Sequence, residues 1–531
     1  MNPTDRQHEQ PRSDIVIRRA FYRSLAAIVL LVLAGLLLYW LLAREEGAPE
    51  VVEEAVVTGP VAETTATPLT PPEVKFTDIT TPAGIDFVHV NGAYGGKLIP
   101  EAIGSGAAFF DYDNDGDPDL LLINSNYWPG HEAGDPAKPA LYRNDGNATF
   151  TDVTAQAGLA ITPYGMGVAV ADYDSDGWID IYITSLGKNY LFRNTGGQFT
   201  DVTEASGTAG ADSDWSSMAA FLDYDNDNDL DLFVGNYVEW SREIDMEIDF
   251  RVTGLGRAIG APNHFTGTNN RLYRNDGDGR FSDVSRAAGI TVSDPVTDAP
   301  LGKALGVAIL DYDADGWLDI LVANDTVRNY LYHNLGDGRF EEVGALEGVA
   351  FDRNGRATGA MGVDAAWFRN DAEIGIGIGT FANEMSSLLV TADGQPPFVD
   401  EAILEGIGPD SRLALTFGLF FFDYDLDGRL DMFQANGHLE TEINRVQPSQ
   451  TYAQQAQLFW NCGEACRTRF IRVEDPGDIS TPMVGRGAAY ADIDADGDLD
   501  IVVVQSGRAA KLIRNDQQTG HNWLRVRLEG R

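Results

Sequence analysis

Six times the chain sets aspartates at positions 1, 3, 5 and 9 of a nine-residue stretch. These are DYDNDGDPD at 111–119, DYDSDGWID at 172–180, DYDNDNDLD at 223–231, DYDADGWLD at 311–319, DYDLDGRLD at 423–431 and DIDADGDLD at 492–500. Carboxylates this close repel one another, so each cluster needs a tight bend and a compensating charge. Small or apolar stretches such as MGVAVA and LGVAIL precede the clusters, and β-rich ones such as IYIT and ILVAN follow them. Each cluster therefore reads as strand, tight loop, strand.

A second motif follows. LYRNDGNATFTDVT (141–154), LFRNTGGQFTDVT (191–203), LYRNDGDGRFSDVS (272–285) and LYHNLGDGRFEEVG (331–344) each place two β-favouring segments around an Asn/Asp/Gly turn. That is a hairpin pattern. Each unit then supplies four short strands, and units recurring every ~40 to 90 residues predict a β-propeller rather than a sandwich. The stretch MGVDAAWFRNDAEIGIGIGTFANEMSSLLV (361–390) keeps the strands but has lost the aspartate spacing, and counting it gives seven units. The outer-strand motif is offset: KFTDIT (75–80) precedes the first cluster, and no such strand follows KLIRND (511–516). The predicted fold is an all-β, seven-bladed propeller over 74–516, in which Lys75–Thr80 completes the seventh blade beside 485–516 and covers the open edges at the seam.

The spacing D-x-D-x-D-G-x-x-D lets a loop turn its carboxylates inward around one hard cation, with the Gly at position 6 permitting the bend. Oxygen donors without His or Cys favour Ca²⁺ over zinc or copper, and Mg²⁺ prefers a more rigid octahedron. About six calcium sites are expected. Their ligands are Asp111, Asp113, Asp115 and Asp119; Asp172, Asp174, Asp176 and Asp180; Asp223, Asp225, Asp227 and Asp231; Asp311, Asp313, Asp315 and Asp319; Asp423, Asp425, Asp427 and Asp431; and Asp492, Asp494, Asp496 and Asp500. The third loop has Asn228 in place of the glycine, and Asn tolerates left-handed backbone. Acidic turns without metal are the plainer reading of any one loop; six with one spacing argue against it.

The chain of 531 residues carries 81 acidic and 38 basic residues, a formal charge of −43. Such a surface repels nucleic acid and anionic headgroups. Ser24–Ala43 is uncharged and long enough to span a bilayer core as a helix. Arg6, Arg12, Arg18, Arg19 and Arg23 precede it, which predicts a cytoplasmic segment 1–23, a transmembrane helix 24–43 acting as a signal anchor, and an extracytoplasmic remainder, periplasmic or at the cell surface. A cleaved signal peptide is the rival reading, with the same destination for the bulk of the chain. Residues 44–73, rich in Glu, Thr, Pro and Ala, read as a flexible tether.

These loops and their flanking strands resemble FG-GAP/VCBS repeats, the calcium-loop propeller repeats also seen in integrin α heads. The stretches ANDTVRNYLYHNLGDGRFEEVG (323–344), FQANGHLETE (433–442) and QLFWNCG (457–463) are similar to the cartilage acidic protein family. HNWLRVRLEGR (521–531) resembles the opening strand of the ASPIC/UnbV domain, so 517–531 reads as the start of such a domain. The resemblance implies a calcium-binding, extracytoplasmic propeller used in adhesion or recognition, without established catalysis. It carries no metal site onto Asp364 of the fifth repeat.

The pair Cys462 and Cys466 sits in a hairpin turn, where a disulfide or free thiols are both open. The long insertion 239–270 suggests a surface binding loop, and His438 a hydrogen-bonded loop residue. No G-x-S-x-G, H-E-x-x-H, P-loop or C-x-x-C signature is present, so no enzyme is expected. The expected function is a membrane-anchored recognition scaffold for a protein or glycan ligand. The alternative is a lectin or a calcium-dependent polysaccharide-active protein.

Overall fold

The computed structural model describes residues 13–42 and 69–526, in two separate compact units. In the first, a helix of 30 residues runs Ser13–Leu42, and its side chains from Phe21 to Leu37 are exposed. The span predicted at 24–43 falls on this helix, although among the described residues no helix is long and apolar enough to cross a membrane. Most of the predicted tether, 44–68, lies outside the described residues, as does the cytoplasmic segment up to residue 12.

The second unit contains seven four-stranded antiparallel sheets. The first blade is Ala107–Phe110, Asp119–Leu122, Ala140–Asn144 and Phe150–Asp152, and the next five repeat this order through Phe470–Arg472. The seventh joins Gly485–Ala491, Asp500–Gln505 and Lys511–Asn515 to Phe76–Asp78, in the register Phe76↔Asn515, Thr77↔Arg514 and Asp78↔Ile513. The closure predicted from the offset motif is therefore present. Beyond it, the chain is coil from 517 to 526, and residues 527–531 lie outside the described region. The stretch read as the opening strand of a following domain, 521–531, is described only to residue 526 and is coil there.

The second strand of each blade is apolar on both sides, and the packing explains why. Leu120 and Leu122 face the seventh blade with Val502, Val504 and Leu512, whereas Leu121 and Ile123 face the second blade with Ile181 and Ile183. Each interface between consecutive blades thus has its own hydrophobic core, and the seven cores make a closed series. Every fully buried Leu or Ile contributes about 1.5–3 kcal/mol.

Around the axis, the first strands approach almost backbone to backbone. A Cβ on Gly167 would lie 2.7 Å from the Ser217 carbonyl oxygen, one on Gly306 2.1 Å from Met361 O, one on Gly362 2.1 Å from Phe417 O, and one on Gly487 2.2 Å from Ser105 O. The last of these contacts crosses from the seventh blade to the first. A side chain at these positions would wedge the ring open.

The insertion 239–270 is ordered. It forms a helix at Arg242–Ile248, with Ser241 Oγ accepting the Ile244 N–H, and a small hairpin of Arg251–Val252 with Gly256–Arg257. Because it links a second strand to a third, it lies at the opposite end of the strands from the aspartate loops. There Trp128, Trp215 and Trp240 pack on one another and on Tyr164 and Tyr237.

If Phe76 locks the seam as its burial indicates, Phe76→Ala will cost about 3–5 kcal/mol in equilibrium denaturation, the range for a buried Phe. A loss below about 1 kcal/mol would mean that the ring holds without that strand.

Candidate metal centre

The six loops share one backbone course. Asn114, Ser175, Asn226, Ala314, Leu426 and Ala495, all at position 4, take left-handed φ of 57–60°. For Leu and Ala that conformation is costly, so the surrounding contacts must impose it. Asn228 is also left-handed, at φ 73°, as expected for a glycine substitute.

The aspartates divide into distinct roles. At position 1, Asp111 accepts the Asp115 and Gly116 N–H groups, both at 3.0 Å; Asp172, Asp223, Asp311 and Asp423 do the same in their loops. At position 5, Asp115, Asp176, Asp227, Asp315, Asp427 and Asp496 each accept the N–H two residues on. At position 9, Asp119, Asp180, Asp231, Asp319, Asp431 and Asp500 are fully buried. One oxygen of Asp119 accepts the Tyr112 N–H at 2.9 Å and the other the Asn144 N–H at 2.8 Å, a pattern repeated in the other five loops. Burial pushes Asp119, Asp231 and Asp319 up to about 7 and Asp180 and Asp500 to about 8, with Asp431 well above its usual range.

Position 3 differs. Asp113, Asp174, Asp225 and Asp494 each keep a buried Oδ1 with no hydrogen-bond partner, as does Asp492 in the seventh loop. Burial, followed by the neighbouring carboxylates, raises Asp113, Asp174, Asp225, Asp313 and Asp494, and Asp425 to about 6. An oxygen taken from water and left unbonded is expensive unless a cation meets it. Positions 1, 3 and 5 converge in loops one, three and four, and positions 1, 3 and 9 in loop two, with oxygens within 4.8 Å of one another. Apart from His333, which groups with Asp313 and Asp319 in loop four, these donors are oxygens and fit a hard divalent ion.

Two elements escaped the sequence reading. The first is the asparagine of the YRN motif. Asn194 Nδ2 donates to Ile179 O at 3.0 Å in its own loop and to Tyr112 O at 2.8 Å in the preceding blade. Asn144, Asn275, Asn334, Asn461 and Asn515 make the same bridge to the blade before. The residue before that asparagine faces the loop in several blades. Arg193 Nε lies 2.6 Å from Asp174, His333 Nδ1 3.7 Å from Asp313, and Trp460 Nε1 donates to Asp425 at 2.9 Å.

The second is the fifth loop. Ala366 pairs with Gly375 as Phe110 pairs with Asp119, so WFRNDAEIG occupies the same nine positions. Phe368 O accepts from Asn461, and Asn370 is left-handed, as positions 2 and 4 require. Position 3 is Arg369. Its guanidinium pairs with Glu373, Glu401 and Glu405, and Arg469 stands 3.5 Å from Glu405. The loop course is kept, with a tethered cation at the position where four of the other loops hold a carboxylate with an unbonded oxygen. Position 9 has become Gly375, and the fifth blade does not fit a metal.

The seventh loop is overlaid by the segment after Asn515. Arg525 reaches Asp492 at 2.8 Å, and Gln517 donates to Asp498. Cys462 and Cys466 form a disulfide in the sixth blade's hairpin turn. His438 is buried, with Nδ1 accepting the Glu440 N–H at 3.0 Å, a loop-holding role.

The FG-GAP-like repeat model matches residues 111–183, 172–234 and 311–372. Human cartilage acidic protein 1 is 24% identical over 452 residues, covering 80% of this chain and 60% of its own length; the mouse protein is 25% identical over 454, covering 80% and 62%. The chain thus spans about three-fifths of the length of these relatives. A structure of an Agrocybe aegerita lectin recognising non-reducing terminal N-acetylglucosamine aligns with 76% of this chain and 86% of its own, at 14% identity and a TM-score of 0.41.

Two substitutions test these assignments. Asn194→Ala should cost about 2–4 kcal/mol, since it strips buried carbonyls of two blades of their donor. Arg369→Met should cost about 3 kcal/mol, because three partly buried glutamates lose their counter-charge. Denaturant titration reads both, and a neutral Arg369→Met would refute the tethered-cation assignment.

Proposed function

We propose that the chain, whose FG-GAP-like repeats and likeness to the cartilage acidic proteins support a propeller of that kind, is a calcium-stabilised recognition scaffold held at a membrane surface. The observation that carries the reading is the unbonded, buried carboxylate oxygen at position 3 of four of the six loops. Calcium would be held by the aspartates at positions 1, 3 and 5 in loops one, three and four and at positions 1, 3 and 9 in loop two, and would supply the charge that lets these bends stay closed. Asp119 and its equivalents would act mainly by fixing the loop to its own third strand.

The anchoring is proposed from the uncharged run Ser24–Ala43 and the arginines before it. Outside the cytoplasm, even sites with dissociation constants of about 10⁻⁴–10⁻³ M would be filled. No catalysis is assigned, because most of the clustered carboxylates are already engaged by backbone amides. A protein partner is favoured over a sugar. The aromatic side chains at the end opposite the loops stack on each other, and Trp128 and Trp215 are buried rather than presented as a platform. The ordered insertion 239–270 supplies the proposed contact surface.

Chelation with EGTA is expected to lower the melting temperature by roughly 10 °C or more, with recovery on adding Ca²⁺. Hydrogen exchange should rise in blades bearing the aspartate loops and least in 375–400, whose loop carries Arg369. An unchanged melting curve would defeat the calcium reading. Proximity labelling and a glycan array then test the partner, and turnover of a polysaccharide would overturn the non-catalytic assignment.

A further inference from the structure

The seven first strands do not fill the axis completely. Toward the end opposite the aspartate loops they leave a cavity of 140 Å³, lined by Ser105, Met166, Leu305, Met361, Phe417 and Arg486 among others. Three features of its wall are unusual together. Arg486 is only 2% exposed, and its guanidinium lies 4.2 Å from the Phe417 ring centroid. Each of its polar contacts is a backbone carbonyl: Nε to Ala102 at 2.6 Å, Nη1 to Gly485 at 2.7 Å and Gly437 at 3.0 Å, and Nη2 to His438 at 3.3 Å. No carboxylate answers its charge among the described residues. Ser105, equally buried, takes a left-handed φ of 97°, and its hydroxyl has no partner among the described residues.

Carbonyl dipoles hold a guanidinium in place but do not neutralise it, and a buried unpaired charge is costly. Of its five N–H groups these contacts use four. The charge is felt nearby. Burial and then Arg486 push His89 down to about 3 and His438 to about 4, so both imidazoles stay neutral beside it. Strained backbone, an unpartnered hydroxyl and an uncompensated cation meeting in one cavity mark a place shaped for a ligand.

We propose that this axial cavity binds a small organic monocarboxylate, its oxygens on Arg486 and the Ser105 hydroxyl and its alkyl end among Met166, Leu305 and Met361. The size agrees. The cavity is several times the ~30 Å³ share of one water molecule, enough for an acid of a few carbons. The apolar remainder of the wall gives an alkyl carboxylate an advantage over a bare inorganic anion.

The test uses the full chain at fixed free Ca²⁺ and fixed ionic strength, with sodium propionate as the probe and sodium chloride as the balance. Propionate should raise the melting temperature saturably, with a midpoint on the order of 1 mM, matched by calorimetric titration. Ser105→Ala and Arg486→Met should each weaken binding about tenfold or more, the loss of one buried hydrogen bond or charge partner. Should Arg486→Met fail to fold, Leu305→Phe, which fills the cavity, must abolish the response with the ring intact. No saturable response, an equal response from chloride, or unchanged binding in both Ser105→Ala and Leu305→Phe would overturn the proposal. None of these outcomes depends on whether the scaffold reading holds, since EGTA melting and partner capture test that separately.

Discussion

The buried aspartate at position 9 is the contact on which the ring depends. Asp180 cannot reach water, yet each of its oxygens takes a backbone N–H, one from Tyr173 in its own loop and one from Asn194 on the third strand. That pair of bonds sets the loop against the hairpin. The asparagine it grips then reaches across to Tyr112 in the preceding blade. One carboxylate therefore fixes local bend, sheet register and blade-to-blade spacing together. Removing it would leave two buried donors unmet, the costly side of hydrogen-bond energetics.

Closure makes these small couplings collective. In an open stack of repeats the terminal units expose one apolar face each, whereas here the core between the seventh and first blades is built like the others. The same geometry forbids slack at the axis, where Gly487 faces Ser105 O as Gly362 faces Phe417 O. Small residues at the centre, branched aliphatics between the sheets and carboxylates at one rim are three consequences of a single constraint: seven twisted sheets must meet around one line. The fifth blade shows how far the chemistry can change while that constraint is kept. A guanidinium held by three glutamates replaces the crowded carboxylates, and the bond from Asn461 to Phe368 still links it to the sixth blade.

Much of this was legible in the chain itself. The blade number and the seam followed from a motif count in which KFTDIT comes early and nothing comes late, and the pairing Phe76↔Asn515 bears that out. The aspartates' positions on one bend were legible because their spacing is a property of local backbone. Their separate tasks were not. Asp119 and Asp113 look alike in the sequence, and only their surroundings make one an amide acceptor and leave the other with an unbonded oxygen. Asn194 was hidden by a familiar turn composition, since Asn is common in any hairpin turn. Arg369 has no carboxylate spacing to mark it, and only loop length does: eight residues separate Ala366 from Gly375 as they separate Phe110 from Asp119.

Arg486 follows from the same reasoning turned around. Elsewhere the molecule gathers negative groups; at the axis it encloses a cation among carbonyls, with no acid against it among the described residues, in a chain with 81 acidic residues. Net charge therefore does not decide local chemistry. A protein at −43 repels anions at long range through water, but inside a cavity walled by Met166, Leu305 and Met361 the nearest charge dominates, because the intervening medium screens little. The carboxylate rim and the guanidinium axis are thus opposite solutions to one problem, that of keeping charge out of water. The proposed calcium at the rim and the proposed carboxylate at the axis would each supply the counter-charge that the surrounding residues leave unmet.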